Sequence, residues 1–175
     1  MELRQRRIEN EWELLEQMAQ ANPSLLTEIQ RGHDDFLLKL SQTTAPVRVE
    51  GSINLRSEHD VRLSFPRFFP TMPIEAYVMP PVFHPNVHPD TGFVCLWGRF
   101  SLHDTVVEAL CQLQRVLTFT LFSESADHVM QPEAVQWAEE RNSGKLPFSL
   151  TPLVKPAGWQ KERGFRRAVG RKRIN

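Results

Sequence analysis

A thiol and a side-chain amide placed to meet are the first chemistry this sequence offers. Residues 83–97 read FHPNVHPDTGFVCLW, with Asn86 and Cys95 nine positions apart. Between them lies Pro89-Asp90-Thr91-Gly92. Proline presets one backbone angle, aspartate bonds its own backbone, and glycine admits positive φ, so the segment should fold back and carry Asn86 toward Cys95. Sulfur is a nucleophile and an amide N–H can stabilise an oxyanion, which are the parts needed for acyl transfer. Other readings of Cys95 stand beside this one: a packing residue, a metal ligand, half of a disulfide with Cys111, or the nucleophile of a Cys-His hydrolase. The hydrolase needs a base, with His84, His88, His103 and His128 as candidates, and a third group to orient it. No local protease signature surrounds Cys95.

The whole chain narrows the setting. Its 175 residues allow one domain with a substantial core and an appendage. Hydrophobic content of 41% and charged content of 24% suit a soluble globular protein. Formal net charge is zero, so no global field draws the chain to nucleic acid or to a membrane. The charge is nonetheless uneven, because residues 161–173 hold seven Lys or Arg against one Glu. No apolar run approaches the ~20 residues that span a bilayer, and the N-terminus lacks a signal-peptide core. The expected location is the cytoplasm, where a Cys95–Cys111 disulfide is disfavoured. No cofactor is expected, and no Cys and His set marks a metal site.

The elements that must position the site follow from periodicity. Residues 3–20 predict a helix with Ile8, Trp12, Leu15 and Ala19 as the buried stripe. Arg4, Arg6, Arg7, Glu11 and Glu16 fall on the other face, either solvated or offered to a partner, and Asn22-Pro23 stops the helix. Ser24 predicts a cap for a short helix over 25–31, ended by Gly32. A first strand is expected at 36–40 and a second at 47–55, where Val47, Val49, Gly51, Ile53 and Leu55 alternate with polar residues. Ser57-Glu58-His59-Asp60 reads as a hairpin turn before a strand holding Val61, Leu63 and Phe65. Residues 74–79 complete an antiparallel meander. A long helix is predicted over 102–122 on the stripe Leu102, Val106, Leu110, Leu113, Leu117, Leu121, with Cys111 as a packing residue beside it. Pro132 opens a third helix ending near Arg141. Helix, strands, then helices is an α+β arrangement, with residues 143–158 a Pro/Gly-containing linker or strap.

In this order the pieces resemble a ubiquitin-conjugating enzyme. The residues that carry the resemblance are FPRFFPTMP before the last strand, PPVFHPNV, GFVCL around Cys95, and the loop leading into Pro-Glu in DHVMQPEAV. The resemblance implies a UBC-like α+β fold: an N-terminal helix, a four-stranded antiparallel meander, an active-site loop and two C-terminal helices. It divides the chain into a catalytic domain over 1–142 and a linker with a basic extension over 143–175. It further implies that Cys95 takes the C-terminus of a ubiquitin-like modifier as a thioester from an activating enzyme and passes it to an amine, usually lysine, of a target. Asn86 matches the family's asparagine, an oxyanion donor or a brace for the active-site loop. His84 and Pro85 would shape that loop. Asp127 falls near the family's acidic gate, with His128 as the alternative occupant and a loop-capping Asp as the plainer role.

The chain also departs from the family pattern. Asn86 and Cys95 are one residue further apart than is common, the segment around 41–54 is abbreviated, and Phe100-Ser101-Leu102 replaces a usual Trp and Ser-Pro. Phe100, Leu102 and the bend at 69–72 match loops that meet a ligase, and their altered identity argues against a conventional RING partner. The compact form is similar to bacterial enzymes of ubiquitin-like conjugation operons, some linked to phage defence. Two alternatives remain open: a non-catalytic module that binds a ubiquitin-like protein, and the Cys-His hydrolase. The basic tail is expected to dock on a protein partner rather than on nucleic acid.

Overall fold

The computed structural model describes residues 3–123, 125, 127–142 and 148–159. The basic cluster at 161–173 lies outside the described residues. Five antiparallel strands pair in sequence order: β1 (Leu26–Arg31), β2 (Asp35–Val49), β3 (Ser52–Ser64), β4 (Glu75–Met79) and the two-residue β5 (Phe93–Val94). Helix α1 (Leu3–Ala21) precedes the sheet; α2 (Val106–Leu117) and α3 (Pro132–Asn142) follow it. This is an α+β meander with helices before and after. No described helix is long and apolar enough to cross a membrane.

The core lies between the sheet and the helices. Strand alternation sends Phe36, Leu38 and Leu40 of β2, Val61 and Leu63 of β3, and Ala76 and Val78 of β4 to one buried face. Ile8, Leu15 and Met18 of α1 and Val106, Ala109, Leu110, Leu113 and Leu117 of α2 close over it. The opposite sheet face is open, carrying Leu37, Arg62 and Met79.

Several sequence expectations are corrected. Residues 26–31 form a strand: Leu26 pairs with Leu40 and Arg31 with Phe36, and Glu28 at φ 52° marks a bulge between. Six residues are too few to show helical periodicity, and strand pairing decided the outcome. Residues 36–40 and 47–49 belong to one strand, β2, which turns at Glu50 and Gly51. Both residues have positive φ, 48° and 80°, as a two-residue type I′ hairpin requires. Ser57, Glu58, His59 and Asp60 are therefore not a turn but part of β3. Of residues 52–58 only Ile53 is shielded, so this half of β3 is an exposed edge beside the buried Ala45, Pro46 and Val47 of β2. Helix α2 is shorter than its apolar stripe: Thr105 caps it, Leu102 is half exposed before it, and Phe119 at φ 56° lies just beyond its end.

On α1, the face read as solvated is partly engaged. Arg4 bonds Asp34 at 2.7 Å and the Phe65 and Pro66 carbonyls. Glu11 is buried, accepting from Arg7 at 2.8 Å and from the Val106 N–H at 2.8 Å, one of the N–H groups that the first turn of α2 leaves without a partner inside the helix. Burial raises the Glu11 carboxyl above its ordinary range. Residues 148–159 form a strap. Ser149 O accepts from Thr44 N–H, Thr151 N–H donates to Gln42 O, and Val154 exchanges two bonds with Asn22. Gln114 of α2 binds the strap at Thr151 O and Leu153 N–H.

Candidate active site

The turn between β4 and β5 brings Asn86 and Cys95 together. Gly92 N–H donates to His88 O at 3.0 Å and His88 N–H to Phe93 O at 2.8 Å, closing the reversal. Gly92 has φ 69°, and a Cβ there would collide with the Val78 carbonyl, so this position requires glycine. Cys95 N–H then donates to Asn86 O at 2.9 Å.

His84, Pro85 and Asn86 each anchor the backbone in a different direction. His84 is fully buried, and its Nδ1 accepts the Asn86 N–H at 3.0 Å. That fixes the hydrogen on Nε2, which lies in an apolar setting with no hydrogen-bond partner among the described residues, beside Phe119 and Phe122. Burial lowers the His84 pKa to about 3, so the ring is neutral at physiological pH. Pro85 O accepts from Met130 N–H at 2.7 Å and Gln131 N–H at 3.3 Å, tying down the start of α3. The Asn86 side chain is buried: Nδ2 donates to Ser123 O at 2.9 Å and His128 O at 3.0 Å, and Oδ1 accepts from Ser123 N–H at 2.7 Å. Both amide hydrogens are thus engaged in holding the backbone at Ser123 and His128.

That loop returns a side chain to the thiol. His128 Nδ1 lies 3.2 Å from Cys95 Sγ. Asp127, the neighbouring residue, is exposed and makes no hydrogen bond with Cys95. Cys95, Asn86, Leu96, Gly98, Val116, Leu121, Phe122, Ser123 and His128 surround a cleft of about 120 Å³. Two larger depressions, of about 430 and 460 Å³, lie on the outer sheet face and beside α2, away from this sulfur. Cys95 is half buried. Desolvation raises its pKa above the ordinary 9.0, and the Trp97 backbone N–H facing the sulfur partly offsets this. Cys111 is also a free thiol, packed at the edge of the core on α2.

The structure therefore brings together Cys95, Asn86 and His128, with His84 and Pro85 behind them, and leaves Asp127 outside. Gln131 was not singled out in sequence, yet its buried Nε2 donates to Val82 O and Val87 O at 2.9 and 2.8 Å, clasping the same loop. A Gln before a helical proline carries no signal of that role. His84 and His88 are four apart, but each turns Nδ1 onto backbone N–H groups. Among the described residues no three His, Cys, Asp or Glu side chains are grouped to hold a metal ion.

No family model matches the sequence, and no curated protein does. Solved structures do match in fold. One is a protein of Trypanosoma cruzi provisionally described as a ubiquitin-conjugating enzyme: TM-score 0.57, 18% identity, covering 77% of this chain and 89% of that one. Another, similarly described, is from Plasmodium yoelii: TM-score 0.53, 15% identity, covering 83% and 97%. The chain has the fold of ubiquitin-conjugating enzymes.

Proposed function

We propose that the protein is a conjugating enzyme that carries the C-terminus of a ubiquitin-like protein as a thioester on Cys95. An activating enzyme supplies the acyl group, and an amine, usually a target lysine, takes it. One observation carries this reading: a half-buried thiol opens on a cleft whose far wall is a loop clamped by the Asn86 amide. A thioester is already activated, so its sulfur needs no strong acidification. The site has instead to exclude water and hold the reacting groups in line. A thiol held above its ordinary pKa fits a carrier better than a protease nucleophile, which needs a stabilised thiolate. With both Asn86 N–H groups engaged, Asn86 acts as a brace. Membership of a bacterial conjugation operon, with a part in phage defence, belongs to the same proposal and rests on the sequence resemblance.

The test is charging by a panel of activating enzymes, each with its modifier and ATP. An adduct cleaved by thiol reductant should form on the wild type and on Cys111→Ala, and be absent from Cys95→Ala. Adducts that persist in Cys95→Ala would remove the reading.

The contact between Cys95 and His128 also favours a second reading, a Cys-His hydrolase. Against it, no side chain among the described residues hydrogen-bonds His128 Nε2 to orient the ring, and Asn86 holds the backbone of His128 instead. Release of a C-terminal reporter from a ubiquitin-like protein by this protein alone, without ATP, would establish the hydrolase in its place.

A further inference from the structure

We propose that the depression between α2 and the strap is a docking site for an acidic segment of a protein partner. The segment sets an aromatic side chain against Trp97 and Trp159 and its carboxylates against Arg99, Arg115 and Lys155. Such docking is independent of the chemistry at Cys95.

The depression holds about 460 Å³ and is built from three parts of the chain. Trp97 and Arg99 come from the segment after β5, and Lys155 and Trp159 from the strap. Helix α2 presents Glu108, Cys111, Gln112 and Arg115, which share one helical face. Both indoles are half-buried: they pack on the core and also line the depression. They are held there before any partner arrives. Trp97 Nε1 donates to Ile74 O at 2.8 Å, and Trp159 N–H donates to Pro156 O at 3.0 Å. Pro156 and Leu153 are buried and anchor the strap beneath Trp159. Aromatic surface already fixed in place loses little further freedom on binding.

The charges sort by depth. Arg99, Arg115 and Lys155 are exposed, and none pairs with a carboxylate among the described residues, whereas Arg4, Arg31, Lys39 and Arg48 each do. Arg115 donates to Gln112 Oε1 at 2.9 Å, and Lys155 Nζ lies 4.0 Å from the Trp159 ring centroid, which keeps both heads at the rim. The acids of the lining, Asp104 and Glu108, are buried and turned to local backbone. Asp104 Oδ2 accepts from Ser101 N–H at 2.6 Å and Glu108 Oε2 from Thr105 N–H at 2.9 Å. The face offered to solvent is therefore aromatic and positive. The same sign continues in sequence, since the basic cluster at 161–173 begins two positions after Trp159.

Complementarity selects the partner. Carboxylates answer the three cations, and a flat apolar side chain answers the indoles. Nucleic acid fits less well. Net charge is zero and residues 161–173 carry an excess of six cations, so the rest of the chain carries six excess acids. A long phosphate backbone running past the patch meets that repulsion, and a short acidic segment stays within the patch.

The test is a titration of the full-length, nitrogen-15-labelled protein with a short peptide of glutamates around one phenylalanine. The chain has four tryptophans, so the indole N–H signals carry their own control. Those of Trp97 and Trp159 should shift. Those of Trp12 and Trp137, packed against Phe36 and Phe83, should not. Arg115→Glu and Trp159→Ala should each weaken binding about 10-fold, and Arg62→Glu on the outer sheet face should leave it unchanged. Arg115 is exposed, so its replacement tests the site without disturbing the core. Exchanging the peptide's glutamates for glutamines should abolish binding. Static Trp97 and Trp159 signals at millimolar peptide would overturn the proposal. So would binding that survives both variants and disappears on deletion of residues 160–175, which would place it on the tail. A single-stranded oligonucleotide that shifts the same two indoles and displaces the peptide would overturn the choice of a protein partner.

Discussion

Asn86 spends three polar contacts on the loop that carries His128. Asn86→Ala leaves two carbonyls and one N–H without their partner, a local cost of about 1–3 kcal/mol. Hydrogen exchange should quicken across residues 123–131 while the sheet stays protected. In the charging assay the variant should still accept the modifier but pass it on more slowly, and unchanged discharge would count against the brace. His84 supplies a different signature. Its folded pKa, about 3, lies below the 6.5 of an ordinary histidine. The folded state therefore binds fewer protons than the unfolded state between those values. The stabilisation is complete above the unfolded pKa and is lost progressively as pH falls toward about 3. His59, buried in β3 with Nε2 bonding to the Thr43 carbonyl, is lowered in the same direction. Acid unfolding of His84→Leu should lose part of its slope in this window. An unaltered pH dependence would mean that the buried ring is not the group being titrated.

The elements were legible where a side-chain pattern had one physical source. The α1 stripe through Ile8 and Leu15, the alternation of Val61, Leu63 and Phe65, and Pro132 at the start of α3 are such cases. The pattern misled where two causes overlapped. Leu102 and Leu121 continue the α2 stripe in sequence, yet the helix spans only Val106–Leu117. The decisive signal was Thr105 with Glu108, a capping box whose two halves both form. Thr105→Ala should cost about 1 kcal/mol, read as a lowered urea midpoint with an unchanged slope. The Glu50-Gly51 hairpin was obscured because Glu is an unusual residue at positive φ. In the site, His-Pro-Asn and Cys95 stood out in sequence. Which of Asp127 and His128 lies against the thiol did not, since neighbouring loop residues differ only in which way each points.

Across the whole molecule the strap completes the core that the helices leave open. Leu153 is buried, and Gln114 joins strap to sheet through Thr43 Oγ1 at 3.0 Å, Thr151 O at 3.0 Å and Leu153 N–H at 3.1 Å. Gln114→Ala should therefore destabilise by about 1–3 kcal/mol, lowering Tm by roughly 2–12 °C. No change in Tm would mean that the strap adds nothing to the fold. Beyond it the basic cluster at 161–173 is proposed to dock on an acidic surface of the activating enzyme. Deleting residues 160–175 should slow charging at low salt and make little difference at high salt. Equal rates for both forms at low salt would contradict docking.

The most direct measurement is intact-mass spectrometry of the protein after incubation with an activating enzyme, its ubiquitin-like modifier and ATP. The expected species is protein plus modifier minus one water, located at Cys95, reversed by thiol reductant and absent from Cys95→Ala. An adduct on Cys111 or on a lysine with Cys95 still free would contradict a carrier role for this thiol, as would no adduct with any activating enzyme tested.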